Sequence, residues 1–263
     1  MAVRIASWNV NSVKARLPNL LEWLGDFAPD AALLQETKCV AENFPRLEIE
    51  ALGYHVAVAG QKTYNGVAIL SKTPLTVTQR ALPGDPEDAQ ARYIEATTES
   101  SAGALRLASV YLPNGNPIDS EKFPYKLAWL ARLRDHARAL LKREDAFVLG
   151  GDYNVIPEDR DCHDPEAWAG DALFRAESRA GYRRLLYLGL SDAFRALHPE
   201  DRAYSFWDYQ GGAWQKDDGV RIDHLLLSPQ ATDRLRESGI DRKPRGWPKP
   251  SDHTPVWCAL AVD

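Results

Sequence analysis

The chain is poor in cysteine. Of 263 residues only Cys39, Cys162 and Cys258 are cysteines, odd in number and far apart. A disulfide framework is not expected, and reduced thiols in the cytoplasm fit better. There is no CxxC or HExxH spacing, so no zinc ribbon or zincin helix is expected. No apolar run approaches the roughly 18 residues that a membrane span needs. The opening Met1-Ala2-Val3-Arg4-Ile5 is not a charged region followed by a long apolar stretch, and no secretory leader is expected. Excess positive charge is missing too: 37 acids outnumber 32 bases, for a net charge of −5. That argues against a simple polycationic nucleic-acid binder, though not against an enzyme whose contact face is locally basic. Lys243, Arg245 and Lys249 form one basic stretch and Arg183 with Arg184 another, each equally readable as solvated surface. No linker or low-complexity segment interrupts the chain, and one domain is expected.

What is present is a series of short apolar runs with polar groups at their ends. Residues 3–9 read as a buried strand ending in Asn9. A helix follows, with Val13, Leu17, Leu20, Leu21, Leu24 and Phe27 on one face and Ser12 as its expected cap. Residues 31–35 are a second buried strand, with Glu36 just beyond. The middle of the chain is rich in strands, at 54–59, 66–70, 75–81, 92–98 and 105–112, and the last of these carries Tyr111. Residues 120–142 read as a long helix. Its inner stripe is Phe123, Leu127, Leu130, Leu133, Leu140 and Leu141, with Lys, Arg and Asp on the outer side. A strand at 146–149 runs into Gly150-Gly151-Asp152-Tyr153-Asn154. Residues 155–203 are irregular and partly helical. Strands at 204–209 and 220–227 pair, a short helix covers 229–237, and 256–262 is a closing strand. Mixed strands with a few amphipathic helices imply two packed mixed sheets with helices outside, a four-layer α/β/β/α sandwich.

The polar strand ends suggest chemistry. Gathering several carboxylates in one cleft is unfavourable without a cation, which points to a divalent metal and a phosphate substrate. Asp152 and Asn154 are two apart, so on an extended segment they share a face. One can take a proton from water while the other holds that water. The paired glycines before them allow close backbone approach. Asp223 sits inside an apolar strand, where an acid needs a partner: Arg221 in a buried ion pair, or a histidine. Ser251-Asp252-His253 supplies an imidazole before the last strand. Taken singly, Asn9, Glu36 and Tyr111 also fit turn, surface or packing roles.

Taken together the motifs carry a resemblance. Ser-Trp-Asn-Val-Asn from Ser7, Leu-Gln-Glu-Thr-Lys from Leu34, Asn-Gly-Val-Ala-Ile-Leu-Ser-Lys from Asn65 and Tyr-Leu-Pro-Asn-Gly from Tyr111 come in order. Gly-Gly-Asp-Tyr-Asn from Gly150, Tyr-Ser-Phe-Trp-Asp-Tyr from Tyr204, Arg-Ile-Asp-His from Arg221 and Ser-Asp-His-Thr-Pro from Ser251 follow. The ordered set resembles the exodeoxyribonuclease III family of DNA-repair nucleases, within the endonuclease/exonuclease/phosphatase superfamily. The resemblance implies the four-layer sandwich and dependence on Mg²⁺, with Mn²⁺ able to substitute. It implies double-stranded DNA as partner, especially abasic sites and 3′ ends. The activities implied are 3′→5′ exonuclease, incision at abasic sites and removal of 3′-blocking groups.

Residue by residue, it implies Glu36 as principal metal ligand, with Asn9 and Asp252 near the ion and Asp152 and Asn154 beside them. Asp152 activates water, Asn154 orients it, Tyr111 contacts phosphate, and Asp223 with His253 forms a coupled acid–imidazole pair. Phe206 and Trp207 fall where the family builds an apolar pocket for an extruded abasic sugar. Tyr64, Asn114 and Lys249 face DNA. At Asn11 some members carry Asp near the metal, which leaves a second ion open. A working monomer is expected. Two other readings stay in view: a superfamily phosphoesterase acting on inositol phosphates, sphingomyelin or RNA, and a catalytically silent DNA-binding protein on the same fold.

Overall fold

The computed structural model describes residues 2–101 and 103–262. In chain order the elements are β1 (Ala2–Asn9), α1 (Leu17–Asp26), β2 (Ala31–Gln35), α2 (Arg46–Glu50), β3 (His55–Ala59), β4 (Val67–Ser71), β5 (Leu75–Gln79), β6 (Tyr93–Ser100) and β7 (Gly103–Tyr111). Then come α3 (Lys122–Leu141), β8 (Phe147–Asp152), α4 (Pro165–Trp168), α5 (Ala176–Leu186), β9 (Ser191–Asp192), α6 (Ala193–Leu197), α7 (Ala213–Lys216), β10 (Asp223–Leu227), α8 (Pro229–Thr232), β11 (Leu235–Ile240) and β12 (Val256–Ala261).

The strands form two six-stranded sheets, in the orders β11-β12-β1-β2-β4-β3 and β5-β6-β7-β8-β10-β9. Both are mixed. In the first sheet β1 and β2 run parallel, and in the second β7 and β8 do, while the other pairings are antiparallel.

The alternation of side chains along each strand builds the layers. Val3, Ile5 and Leu33 of the first sheet meet Ile94, Leu107, Val148 and Leu225 of the second in a core between the sheets. The opposite faces bury under helices. Ala6, Trp8, Ala32 and Leu34 pack beneath Leu20, Trp23 and Leu24 of α1 and Ile49 of α2. Ala108, Val110, Leu149 and Leu226 pack beneath Trp129, Leu130 and Leu133 of α3 and Tyr182 and Leu185 of α5. Helix, sheet, sheet, helix is the order of layers, as expected from the sequence.

Four local readings are corrected. Ser12 does not cap α1: the helix begins after Arg16 with no side-chain cap, and Ser12 sits in a preceding turn with φ 86°. The expected helix over 229–237 stops at Thr232, and β11 takes over. Residues 204–209 do not form a continuous strand; Phe206 alone bridges to Val220 and to His253. Finally, α3 does not send all its cations outward, since Lys126 is fully buried while Phe123 and Leu127 are only partly so.

A buried acid inside the second sheet gives a testable pH dependence. The Glu95 carboxylate is bound by Arg106 Nη1 at 2.7 Å, His136 Nε2 at 2.7 Å, Tyr93 OH at 2.7 Å and Thr78 Oγ1 at 2.6 Å. Burial raises its pKa, but the hydrogen bonds from His136, Thr78 and Tyr93 outweigh burial and bring it from 4.5 to about 2. A folded pKa below the unfolded value means this contribution is complete above pH 4.5 and disappears as pH falls through about 2. It amounts to roughly 3 kcal/mol. Urea unfolding between these pH values should show Glu95→Gln less stable than the parent at neutral pH, and the gap closing in acid. An unchanging gap would remove the argument.

Candidate active site

Strand pairing alone brings the distant motifs together. In the first sheet Asn9 pairs in register with Gln35, so β1 and β2 end side by side and Glu36 follows at once. In the second, Tyr111 pairs with Asp152 at the matching ends of β7 and β8. Asp223 opens the antiparallel β10 directly opposite Asp152. β12 runs antiparallel to β1, with Val256 opposite Ser7, and this puts His253 beside the end of β1. Both sheets thus deliver their polar ends to one edge. The glycines before Asp152 are required there. A Cβ on Gly151 would lie 1.8 Å from the Val110 carbonyl oxygen, and one on Gly150 would lie 2.5 Å from Leu225 and 2.6 Å from Leu33.

At that edge, ligand atoms of Glu36, Asp152 and His253 all lie within 4.8 Å of one another. Asn9 Nδ2 sits between the two acids, donating to Glu36 Oε1 at 2.8 Å and to Asp152 Oδ2 at 3.0 Å. Tyr111 OH donates to Glu36 Oε1 at 2.9 Å, and Lys38 Nζ meets Glu36 Oε2 at 2.8 Å. Asp152 accepts from the Asn154 backbone N–H at 2.8 Å and from Asn154 Nδ2 at 3.2 Å. His253 Nδ1 contacts Asp223 Oδ2 at 2.8 Å, while its Nε2 faces Asp152 Oδ2 at 3.8 Å. Ser205 Oγ donates to the same Asp223 oxygen at 2.6 Å.

The charges follow from this geometry. Burial pushes the Asp152 carboxyl up to about 7 against the opposing pull of the His253 charge, and the neighbouring Asp223 and Glu36 carboxylates add to the rise. Burial disfavours a charged His253, yet the Asp223 and Asp152 carboxylates outweigh it and raise the imidazole to about 10. Burial acts upward on Glu36 as well, but the Lys38 ammonium and the Asn9 hydrogen bond hold it below its ordinary value. Tyr111 is pushed well above 10 by burial and by Glu36 and Asp152, so it stays a donor. Burial and neighbouring charge thus move both groups upward, the Asp152 carboxyl toward neutrality and the His253 imidazole well above it.

As a donor set the cluster fits an oxygen-preferring divalent cation. Two carboxylates converge, and the nearby imidazole is tied up as a cation by Asp223. The candidate metal site is therefore acidic, with Glu36 and Asp152 as its oxygen donors. Asp252 lies outside this group of three. Its Oδ1 is held by Asn11 Nδ2 at 3.0 Å and Ser251 Oγ at 3.3 Å.

The remaining expected residues fall in different places. The Phe206 ring stands 4.9 Å from the His253 imidazole, nearly edge-on, and walls the site on one side. Trp207 does not line it. The indole is fully buried among Tyr204, Ala213 and Trp214 and donates to Asp217 Oδ1 at 3.0 Å, so it braces the segment behind Phe206. Asn114 is exposed at the site's rim and donates to Asn154 Oδ1 at 3.1 Å. Tyr64 is 68% exposed on a loop whose Asn65 and Gly66 carbonyls accept the Lys38 and Thr37 amides, next to Glu36. Lys249 is exposed between Pro248 and Pro250. The rest of that basic stretch is not free: Lys243 pairs with Asp26 at 2.7 Å, and Arg245 is buried with its Nη2 on the Trp207 carbonyl at 3.0 Å. The sequence also left open whether Asp223 pairs with Arg221 or with a histidine, and His253 is the partner.

Lys38, Ser205, Arg92 and Lys126 were not singled out beforehand. Lys38 and Ser205 lie inside motifs already noted, one or two positions from Glu36 and Phe206. Arg92 stacks over the Tyr111 ring at 4.6 Å and Lys126 reaches the Asn154 carbonyl from α3; neither carries a signal in its local sequence.

The chain's similarities agree with this geometry. The profile of the Endonuclease/Exonuclease/phosphatase family matches residues 6–253. The exodeoxyribonuclease III of Haemophilus influenzae is 36% identical, over 97% of this chain and 98% of its own. Among solved structures, a 3′ phosphatase from Neisseria bound to a product DNA hairpin is 40% identical with a TM-score of 0.94, covering 99% of this chain and 100% of that one. An AP endonuclease from Archaeoglobus fulgidus is 37% identical with a TM-score of 0.93 and the same coverage. The chain belongs to the endonuclease/exonuclease/phosphatase family, in its exodeoxyribonuclease III branch.

Proposed function

We propose that the chain is a divalent-cation-dependent DNA-repair nuclease. It hydrolyses phosphodiester links in duplex DNA with water, incising beside abasic sites and trimming or cleaning 3′ ends. The observation that carries this reading is the meeting of Glu36, Asp152 and His253 where the parallel pairs of both sheets end. Relatives named for exodeoxyribonuclease III, 3′ phosphatase and AP endonuclease support it. The site draws on residues from Asn9 to His253 of one chain, which supports one domain able to work as a monomer. No helix among the described residues is long and apolar enough to cross a membrane, and the three cysteines are free and buried, which suits work in the reducing cytoplasm.

Glu36 and Asp152 would hold the cation, Mg²⁺ or Mn²⁺, with Asn9 locking their spacing and Asp252 nearby. The cation would supply charge compensation at a non-bridging phosphate oxygen. Asp152 takes a proton from the attacking water, and Asn154 holds that water in line. Asn9 and Asn154 keep the Asp152 carboxylate aimed by donating to it. His253, oriented by Asp223, donates to a phosphate oxygen, and Tyr111 donates beside it. We read Asp152 as the base and His253 as the donor, a reading supported by the Asp223 contact on His253 Nδ1 at 2.8 Å. Cleavage leaves a 3′-hydroxyl and a 5′-phosphate. Phe206 supplies an apolar wall for an abasic sugar, which loses little stacking on leaving the helix. Tyr64, Asn114 and Lys249, all exposed, would meet the DNA strands.

A duplex carrying one abasic site tests the reading. With Mg²⁺ the protein should nick the strand at that site. EDTA should abolish the nick, and added Mg²⁺ or Mn²⁺ should restore it. Binding without a nick would mean a silent DNA-binding protein. Turnover of inositol phosphates, sphingomyelin or RNA in place of the duplex would mean a different phosphoesterase of the superfamily.

A further inference from the structure

Lys126 is a lysine in the wrong place for its chemistry. It lies on α3, is fully buried, and has no carboxylate within ion-pair distance among the described residues. Burying an amine is costly even with Asp152 and Asp171 acting on it from beyond contact, and an apolar residue of similar length would pack there at lower cost. Its Nζ instead donates to two backbone carbonyls, Asn114 at 2.9 Å and Asn154 at 2.5 Å. Those carbonyls belong to the loops that leave β7 and β8, carrying Tyr111 and Asp152 at their bases. The Asn114 loop closes tightly over the lysine: at Gly115, with φ 92°, a Cβ would come within 2.6 Å of Lys126 Cδ.

Asn154 has a strained backbone, with φ 47°. A non-glycine residue holds that conformation only where its surroundings fix it. Its backbone N–H goes to Asp152, its Nδ2 goes to Asp152 and to the Leu112 carbonyl at 2.9 Å, and its Oδ1 accepts from Asn114. The Lys126 bond on the Asn154 carbonyl fastens the remaining side of the same residue.

Resting on the proposed function, we infer that Lys126 is a positioning residue: it ties the loops after β7 and β8 together and sets the Asn154 amide against the Asp152 carboxylate. It touches neither substrate nor cation and acts through Asn154.

The test is Lys126→Met, with Lys126→Gln as a second variant should the first not fold. Each should lower kcat on the abasic-site duplex by roughly 10- to 100-fold with little change in KM. In a double-mutant cycle with Asn154→Ala, the lysine substitution should cost almost nothing further, because its effect passes through the missing amide. The Asn154 side-chain amide signal in a ¹⁵N spectrum should shift and exchange faster in the Lys126 variants. Parent-like kcat, or additive losses in the cycle, would overturn the positioning role. If the parent protein itself does not cut DNA, the proposed function fails on its own. The ¹⁵N signal then still decides the tie, and an unmoved Asn154 amide overturns it.

Discussion

Asp152→Ala should cut turnover on an abasic-site duplex by between about 10²- and 10⁴-fold, with DNA binding nearly unchanged. The carboxylate is fully enclosed, takes hydrogen bonds from Asn9 and Asn154, and stands 3.8 Å from the His253 ring. Removing it takes one acceptor from each of Asn9 and Asn154 and takes away the carboxylate proposed to accept a proton from water. Binding should survive because the exposed side chains proposed to meet the strands (Tyr64, Asn114, Lys249) lie on other loops. Single-turnover cleavage and fluorescence anisotropy separate the two effects. Cleavage at the parent rate would exclude Asp152 as the base.

The second large effect is on stability. Arg221 is fully buried in the segment just before β10. Its Nε meets Asp161 Oδ1 at 2.7 Å, and its Nη1 meets Asp192 Oδ2 at 2.8 Å and His224 Nδ1 at 3.0 Å. Arg195 reinforces Asp161, and Tyr182 donates to Asp192 at 3.0 Å. Burial alone would raise Asp192, but the Arg221 charge and its hydrogen bonds hold the acid far below its ordinary range. Arg221→Ala leaves the buried Asp192 without its arginine and Asp161 with Arg195 alone, which costs about 3–5 kcal/mol. For a chain of this size the melting temperature should fall by roughly 10 °C. Activity should fall at temperatures where the fold still holds, because His224 Nε2 donates to the Val155 carbonyl, one residue beyond Asn154. A melting temperature within about 2 °C of the parent would show that the acids find other partners.

Much of this architecture was legible in the residues, for a physical reason. β1, β2, β7, β8 and β12 lie inside their sheets and are largely buried on both faces, so each reads as a compact apolar run, and the polar groups of the candidate site sit at the ends of those runs. β11 was hidden because it is an edge strand. Its sequence, Leu-Arg-Glu-Ser-Gly-Ile, buries only Leu235 and Ser238, carries a bulge between Leu235 and Glu237, and follows a real helical turn started by Pro229. Trp207 misled for a different reason: Phe206 and Trp207 are adjacent aromatics, and only the backbone path decides that one faces His253 while the other turns into a separate cluster. Lys126 was unreadable because a lysine on an amphipathic helix belongs outside unless distant carbonyls claim it, and those carbonyls come from two other loops.

The position of β12 ties the candidate site to the integrity of the first sheet. This strand follows every other one in chain order, yet it lies inside its sheet, between β11 and β1. His253 comes three residues ahead of it. Displacing β12 would therefore open a gap through the sheet and carry the imidazole away from Glu36 and Asp152 in the same movement.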